Sequence, residues 1–507
     1  MEKRLLLAIG LSLLVLLSWS ALAPKPQVIV QSAQNQSGIV QSESGKPQEK
    51  TIIASVPIPE SDQPLLQINR PDAELFFDEQ HAALNKVVFL GDRQHSFPLQ
   101  LGFLTDDGSL KYAKIKSTTS AISFAAQDGS KKVTKTFTLY KVNNTIELQV
   151  NFQNLTNSPI VINIPLLLGK VDLSHKNAQL RYEDLYLVTA EKSQHLSVTK
   201  EFSINNAKVL GLRDQYFCLI VEPQADSYRA FLKKINNSEA EIGLTSENIT
   251  LQPGGQIGHL FSIYLGPQDL KVITQIRPIW SGIIYFGTFD FISQILLQTL
   301  EFLYRIFHNW GWAIVFLSLL VYFILYPLSL KQMRSMKEMQ AIQPKVEELR
   351  RLYKDNPQKM NKEIMELYKL HKVNPFGGCL PLLLQMPIFF ALYNALMRST
   401  ALRGAKFLWI RDLSEPDRLF TLPVSLPVLG NELNILPIIM ALGMFFQQKL
   451  TSAQATGPSA EQQKLMLIVM PIMFGFIFYH MPAGLVLYWL INSILMLVFQ
   501  LRLSKAK

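Results

Sequence analysis

The feature that most constrains this chain is the crowding of apolar runs into its C-terminal part. Five segments, near residues 311–330, 376–397, 433–448, 465–479 and 484–501, are almost wholly apolar. A helix needs roughly 20 such residues to cross a bilayer. A backbone in hydrocarbon must also satisfy its own hydrogen bonds, so these runs are expected as helices. The segments at 433–448 and 465–479 are short for spans, which calls for tilt or local thinning. A sixth apolar run opens the chain. Glu2-Lys3-Arg4 precedes Leu5 to Leu17, and Ala21-Leu22-Ala23 resembles a signal-peptidase site. It reads as a cleaved signal peptide or as an uncleaved anchor with its N-terminus inside, and in both cases the region after it is exported.

The chain between these regions is of another kind. Residues 24–64 are rich in Gln, Ser, Pro, Lys and Glu, the composition of a flexible linker. From about residue 65 the apolar period becomes two. In "KTFTLYKVNNTIELQVNFQN", Phe137 and Leu139, then Ile146, Leu148, Val150 and Phe152, alternate with polar residues. Asn143-Asn144 between them tolerates the positive φ of a tight hairpin. Similar runs at 159–168, 184–189, 216–222, 229–235 and 259–265 predict a β-sandwich over residues 65–275. Cys218 and Cys379 fall on opposite sides of the divide and make no disulfide framework.

Residues 289–307 change period again. Phe291, Ile295, Leu296, Thr299, Leu300, Leu303 and Phe307 recur at helical spacing, followed by Trp310 and Trp312. Such a helix lies in the membrane interface or packs on the β-domain. Across 507 residues the formal net charge is +10, and the cations sit beside the apolar runs. This fits positive-inside topology more simply than nucleic-acid binding. Residues 331–372 carry eleven Lys and Arg, from Lys331 and Arg334 to Lys372, against six acids, so this loop is expected to be cytoplasmic. The loop 398–432 has five basic residues against four acids, with Pro416, Pro423 and Pro427 suggesting a compact, partly interfacial structure. Within 331–372, Met333, Met336, Met339, Ile342, Val346, Leu349 and Leu352 mark one helix, which Pro344 kinks or restarts. Asn356-Pro357 begins another, through Ile364, Leu367, Tyr368 and Leu370. The pair reads as a projecting hairpin or as a solvated connector. Asn374-Pro375 ends it, and Gly377-Gly378 allows a sharp turn into the next span.

The motifs of common catalytic chemistry are missing: no phosphate-binding loop, no nucleophile elbow, no His-Glu-x-x-His and no cysteine cluster for a metal. The apolar runs hold no Asp or Glu of the kind that couples ions in transporters. An enzyme is therefore not expected, and a small-solute transporter or channel is the weaker alternative. His480 reads as structural or interfacial and Cys379 as a small apolar residue. What the spans do contain is mild polarity: Ser318 and Tyr322; Gln385, Tyr393 and Asn394; Tyr488, Asn492 and Ser493. Singly these suit hydrogen bonds between helices, worth about 1 kcal/mol each. Together they suit the lining of a wet cleft. Met440, Met444, Met466, Met470 and Met473 offer adaptable apolar surface or core filling.

The stretches "NWGWAIVF", "YPLSLKQMRSMKEMQAIQPK", "LYKLHKVNPFGGCLPLLLQMPIFFALYNAL", "LWIRDLSEPD", "QQKLMLIVMPIMF" and "MPAGLVLYWLINSIL" resemble, in order and spacing, the YidC membrane protein insertase family of Gram-negative bacteria. The resemblance covers about 280–501. It implies an α-helical polytopic inner-membrane protein of six spans, five of them a core, with a large periplasmic β-supersandwich. The implied layout is an uncleaved first span at 1–23, a linker at 24–64, the β-domain at 65–275 and an interfacial helix at 280–308. Spans are implied at 309–330, 375–397, 433–450, 464–480 and 484–501. The hairpin at 331–373, the loop at 451–463 and a short basic tail at 502–507 are cytoplasmic, as is the N-terminus, and the loop 398–432 is periplasmic. The implied activity is insertion and folding of nascent inner-membrane proteins through a hydrophilic groove open to cytoplasm and lipid but closed outside, alone or with the Sec translocon, with no cofactor, metal or DNA. Ribosome and targeting factors are implied partners at the cytoplasmic loops, and lipids around the spans. Carried onto this sequence, Tyr322, Ser318, Gln385, Asn394, Tyr488 and Asn492 line the groove. Phe389, Met470, Met473 and Phe474 form an apolar slide. Lys331, Arg334, Asn374, Pro375, Gly377 and Gly378 belong to the hairpin and its hinge.

One departure from the family pattern is important. The family usually has an arginine four residues before Tyr-Pro in the second span; here Tyr326-Pro327 are present and the matching position is Tyr322. The groove cation is thus not carried over, and Tyr322 and Gln385 are left to supply hydration.

Overall fold

The computed structural model describes residues 65–505, apart from 91–93, 107, 141–142, 174–183, 226–227, 372–379, 427–429 and 453–457. The N-terminal apolar run, the linker and the hinge residues Asn374, Pro375, Gly377 and Gly378 lie outside the described residues.

Period-two alternation produces an antiparallel sandwich. One layer is a nine-stranded sheet, in spatial order Ser193–Leu196, Asp184–Thr189, Ala207–Arg213, Phe217–Pro223, Gln256–Pro267, Thr145–Asn154, Lys131–Leu139, Ala121–Gln127 and Ala113–Ser117. The other elements are two four-stranded sheets and the two-stranded pair Ile160–Ile162 with Ile249–Leu251. The first runs in order from Leu66–Asn69 to His95–Gly102, and the second is Pro165–Asp172, Glu239–Ser246, Tyr228–Lys234 and Phe202–Ile204. The two four-stranded sheets are stitched together where the Phe103 amide donates to the Leu167 carbonyl at 2.6 Å and the Leu167 amide to the Leu104 carbonyl at 2.9 Å. Gly169 makes that junction possible. Its φ is +148°, and a Cβ there would stand 2.0 Å from the Leu99 carbonyl oxygen.

The expected hairpin is present. Asn143 and Asn144 take φ values of 68° and 55° between Lys131–Leu139 and Thr145–Asn154, the left-handed pair that matches strand twist. Phe137, Leu139, Ile146, Leu148, Val150 and Phe152 all enter one core shared by the three sheets. Lys135, in the same inward row, is also fully buried. Its Nζ donates to the carbonyls of Ala82 and Phe103, each at 3.1 Å, and lies 4.8 Å from the Tyr112 ring.

Eight helices come after the sandwich among the described residues: α1 Leu270–Ile276, α2 Asp290–Phe307, α3 Trp310–Leu352, α4 Pro357–Leu370, α5 Leu380–Arg398, α6 Ile435–Ser452, α7 Pro458–Phe478 and α8 Ala483–Lys505. Of these, Trp310–Lys331 and Ala483–Arg502 are long and apolar enough to cross a membrane, and Ile435–Lys449 and Leu467–Phe478 are shorter apolar stretches.

Two boundaries differ from those expected of the sequence. The second apolar span and the first arm of the hairpin are one unbroken 43-residue helix, α3, with Pro327 and Pro344 inside it. A proline removes one amide and crowds the carbonyl four residues back. Pro344 is exposed, so water can take up the freed carbonyl, and the flanking Met, Leu, Glu and Lys residues favour helix. Helix α4 folds back on α3, burying Ile342, Val346 and Ile364, while Lys331 and Arg334 are exposed. The other boundary is that of the amphipathic helix, which spans Asp290–Phe307, as the helical period over 289–307 predicts and unlike the 280–308 of the implied layout. Before it, Trp280, Ile283, Ile284 and Phe286 pack into the β-domain. The Tyr186 hydroxyl donates to the Ile279 carbonyl at 3.0 Å, and the Trp280 indole donates to Glu222 at 2.8 Å.

Helix α2 has three faces. At 100° per residue, Leu296, Leu300 and Leu303 form the face that packs on α3 and α5. Asp290, Gln294, Gln298, Glu301 and Arg305 form a polar strip. Phe291, Ile295, Phe302 and Ile306 form a third face that stays exposed. The helix therefore rests on the helical region, and it is joined to the β-domain side by Leu297, which packs on the Ile273 and Trp280 cluster, and by the Lys271–Glu301 ion pair.

The β-domain is also fastened to the near end of α5. Gln215 donates from Nε2 to the Met397 carbonyl at 2.7 Å. The Tyr285 carbonyl accepts from Arg213 at 3.0 Å and from Arg398 at 2.8 Å. Asp184 holds Arg213 and His195. Burial alone would raise its pKa, but those hydrogen bonds and the Arg213 charge hold the carboxyl well below the ordinary range.

Candidate functional site

The polar residues of the apolar helices do not all meet. Gln385 on α5 donates from Nε2 to the hydroxyl of Tyr488 on α8 at 3.0 Å. Tyr488 is fully buried, and one turn on, Asn492 donates to its carbonyl at 2.9 Å. Gln385 and Tyr488 thus make a polar contact between two largely apolar helices, and Asn492 adds a polar group one turn along α8. Ser318 on α3 is buried, and its hydroxyl donates to the Ile314 carbonyl at 2.8 Å, a bond within its own helix.

Side-by-side contacts fix the relative heights. A Cβ on Gly484 would stand 3.1 Å from Ile314, and the Tyr326 and Phe499 rings are 5.1 Å apart. Helices α3 and α8 thus run in parallel. Ser318 stands near the level of Tyr488, and Tyr322 near that of Asn492, about one turn or ~6 Å further from the β-domain. Tyr322 is half-buried, with its ring 6.0 Å from Phe323 and 6.3 Å from Tyr326. Asn394 is elsewhere. It sits nine residues beyond Gln385 on α5, ~13 Å along the helix axis, where a Cβ on Gly287 would be 3.9 Å from its amide.

Two of the four apolar candidates, Phe389 and Phe474, meet at a tryptophan that the sequence pattern does not single out. Phe389, Phe474 and Phe478 lie 5.5, 5.6 and 5.2 Å from the Trp489 ring. Met470 and Met473 are half-buried on α7. Trp489 is next to Tyr488, so the aromatic cluster and the polar contact share one stretch of α8.

At the end of the bundle nearest the β-domain, loops close over the helices. The first amides of α8, Ala483 and Gly484, donate to the carbonyls of Glu415 and Leu413 at 2.8 and 2.9 Å. Asn434, just before α6, donates from Nδ2 to the Tyr479 carbonyl at 2.8 Å, and the Tyr479 hydroxyl donates to the Glu432 carbonyl at 2.8 Å. Asp417 accepts from the Ile435 and Leu436 amides at 2.9 and 3.0 Å, capping α6. The resemblance implies a groove closed at this end, but the sequence does not name these residues. Their one local signal is Asn434 directly before an apolar run, a capping residue at a helix start. Among the described residues no group of three His, Cys, Asp or Glu is placed to hold a metal. The arrangement offers hydrogen bonding and shape.

Comparison with known proteins places the chain in a family. Residues 73–299 match the YidC periplasmic domain model, and residues 302–507 match the model described as 60Kd inner membrane protein. The membrane protein insertase YidC of Geobacter metallireducens is 31% identical over 100% of this chain and 99% of its own length. That of Pelobacter propionicus is 38% identical over 62% of this chain and 57% of its own. A crystal structure of active YidC insertase with its first transmembrane domain resolved aligns at 19% identity and a TM-score of 0.41, over 87% of this chain and 92% of that one. By its similarity from end to end to such relatives, the chain belongs to the YidC family of membrane protein insertases.

Proposed function

We propose that this protein inserts and folds inner-membrane proteins by lending a polar-walled path to the segment of a client that must cross the bilayer. The physical problem is desolvation. Each unsatisfied polar group costs several kcal/mol in hydrocarbon. A groove wall that accepts and donates hydrogen bonds lowers that barrier without a chemical step. The observation that carries this is the 3.0 Å bond between Gln385 and Tyr488, two polar side chains facing each other between apolar helices. At rest each satisfies the other; during insertion each can partner a client's polar groups instead. Asn492 and Tyr322 extend the polar path away from the β-domain, and the loops over α6 and α8 close its other end. The aromatic cluster at Trp489 gives the client's apolar segment a surface to slide on.

In this account six segments span the inner membrane, with both termini and the α3–α4 arm in the cytoplasm and the β-domain in the periplasm. The exposed face of α2, Phe291, Ile295, Phe302 and Ile306, lies in the membrane interface. The basic arm meets the ribosome or targeting factors, and the Sec translocon is a further partner. Tyr322 stands where relatives usually carry an arginine, so hydration replaces charge in attracting the client's tail. A photo-crosslinker at position 385 tests the site. Nascent single-span membrane proteins should be captured there during translation, and failure to capture any of them sinks the assignment.

A further inference from the structure

Residues Lys406–Arg411 make a tight hairpin beside the start of α3. The Phe407 amide donates to the Ile410 carbonyl at 3.0 Å, and the Ile410 amide returns a bond to the Phe407 carbonyl at 2.8 Å. Leu408 and Trp409 are therefore the tip. Leu408 has a φ of 51°, a region in which a bulky side chain is strained and glycine or asparagine is not. It is nonetheless leucine, and 72% exposed, so packing within the protein does not offset the strain. Trp409 beside it is also exposed.

The height of this tip is fixed. The Phe407 ring occupies the place of a Cβ on Gly311, at 2.0 Å, and meets the exposed Trp312 edge-on at 5.6 Å. Gly311 and Trp312 are the first turn of the apolar stretch Trp310–Lys331. The tip thus stands at the level where that stretch begins, with exposed Lys406 and Arg411 on either side. Apolar side chains between two cations, at the end of a span, match the boundary between acyl chains and lipid phosphates. The tip is also tied to α6. The Trp409 indole donates at 3.2 Å to Asp417 Oδ2, the same oxygen that caps the Ile435 and Leu436 amides.

We infer that the Leu408–Trp409 tip is a lipid anchor in the outer leaflet which, through Asp417, sets the height of α6 in the bilayer. This rests on α3 spanning the membrane, and the test separates the two. In a Cys218→Ala, Cys379→Ser background, a spin label is placed by Leu408→Cys, by Phe323→Cys on the exposed side of α3, or by Thr118→Cys on the β-domain surface. The protein is reconstituted in vesicles of phosphatidylethanolamine and phosphatidylglycerol. Collisions are measured with oxygen, which concentrates in lipid, and with a water-soluble nickel chelate. The labels at 408 and 323 should favour oxygen several-fold over the label at 118. A label at 408 that behaves like 118, while 323 stays in lipid, overturns the anchor alone. If 323 also behaves like 118, the spanning assignment falls with it. A label at 408 shielded from both reagents means that protein covers the tip, and this too overturns the anchor. For the link to α6, Trp409→Phe keeps an apolar ring but removes the donor. Amide exchange at Ile435 and Leu436 should then rise several-fold, and unchanged exchange overturns the link.

Discussion

The β-domain and the helical bundle obey one physics in two solvents. In the β-domain the large apolar side chains are inside: Phe77, Phe97, Phe103, Phe124 and Phe137 have no exposed surface. In the bundle many face out, among them Phe323 and Ile324 on α3 and Ile472 on α7, each about two-thirds exposed. Beside buried leucines such as Leu317, Leu392 and Leu485, the bundle also buries small or polar residues: Ala313, Ser318, Ala391 and Tyr488. Lipid gives apolar side chains no reason to hide, so helices there associate through close backbone approach and hydrogen bonds. Gly475 on α7 against Ala441 on α6 is such an approach. The polar groups differ in kind as well. Lys135 and Asp184 in the β-domain are held by several fixed partners each. Gln385 and Tyr488 share one side-chain bond across two helices.

The comparison predicts a large functional asymmetry. Deleting 334–370, the greater part of the arm, should abolish insertion while the helices still assemble, measured as membrane-integrated protein without client insertion. Deleting 65–265 should leave activity and lower only the protein level. Trp280, Ile283, Ile284 and Phe286 lose their packing bed in that truncation, so its yield should fall. An active arm deletion, or an inactive but abundant domain deletion, would reverse the assignment.

A smaller effect separates the two interiors. Gly169→Ala forces a side chain into a backbone contact at positive φ and should cost the β-domain about 3 kcal/mol or more. Its thermal transition should fall while client insertion per folded molecule is kept.

Lys135 gives a pH signature. Burial pushes its ammonium down to about 8, partly opposed by Asp106, from an ordinary value of 10.5. The folded state therefore releases this proton more readily than the unfolded state. The stability linked to it is full above the unfolded value and is lost as pH falls through about 8. The β-domain of the full-length protein should melt higher at pH 9.5 than at pH 7. Lys135→Met should flatten that dependence while leaving the carbonyls of Ala82 and Phe103 unpaired, at about 1–3 kcal/mol each.

The smallest expected effects are at Tyr322. Tyr322→Phe should slow insertion only mildly, since Gln385 and Tyr488 remain. Tyr322→Arg should be tolerated and favour clients with acidic tails, compared in vesicles with single-span clients differing only in tail charge. No change for any client, or loss of folding, would mean that position 322 does not face the path.

The two regions are also unequally legible in the sequence. Alternation around Asn143-Asn144 locates a hairpin and its inward row, because the strand period is strict and each inward position is apolar. Lys135 breaks that row, and its carbonyl partners come from residues more than thirty positions away, which no local pattern shows. In the bundle, the apolar runs locate helices but not their contacts. Gln385 and Tyr488 are both conspicuous as polar residues in apolar runs, yet their bond joins residues 103 apart. Asn394 is equivalent to Gln385 by type, but its height on α5 sets it beside Gly287. Pro344 reads as a break, because helix propensity over a charged stretch is hard to weigh against one proline. The seal at Asn434, Tyr479 and Asp417 is built from loops, where backbone bonds rather than side-chain pattern carry the structure.

The central claim is that a client's polar segment passes the Gln385–Tyr488 pair. The direct measurement is insertion of two single-span clients into vesicles carrying either the parent protein or Gln385→Leu. One client has a charged translocated tail and the other a tail of serine and glycine only. Loss of the amide should slow the charged client about tenfold, equivalent to roughly 1.4 kcal/mol of barrier, and the neutral client far less. Equal slowing of both clients, or of neither, would contradict the claim and place the polar path elsewhere in the bundle.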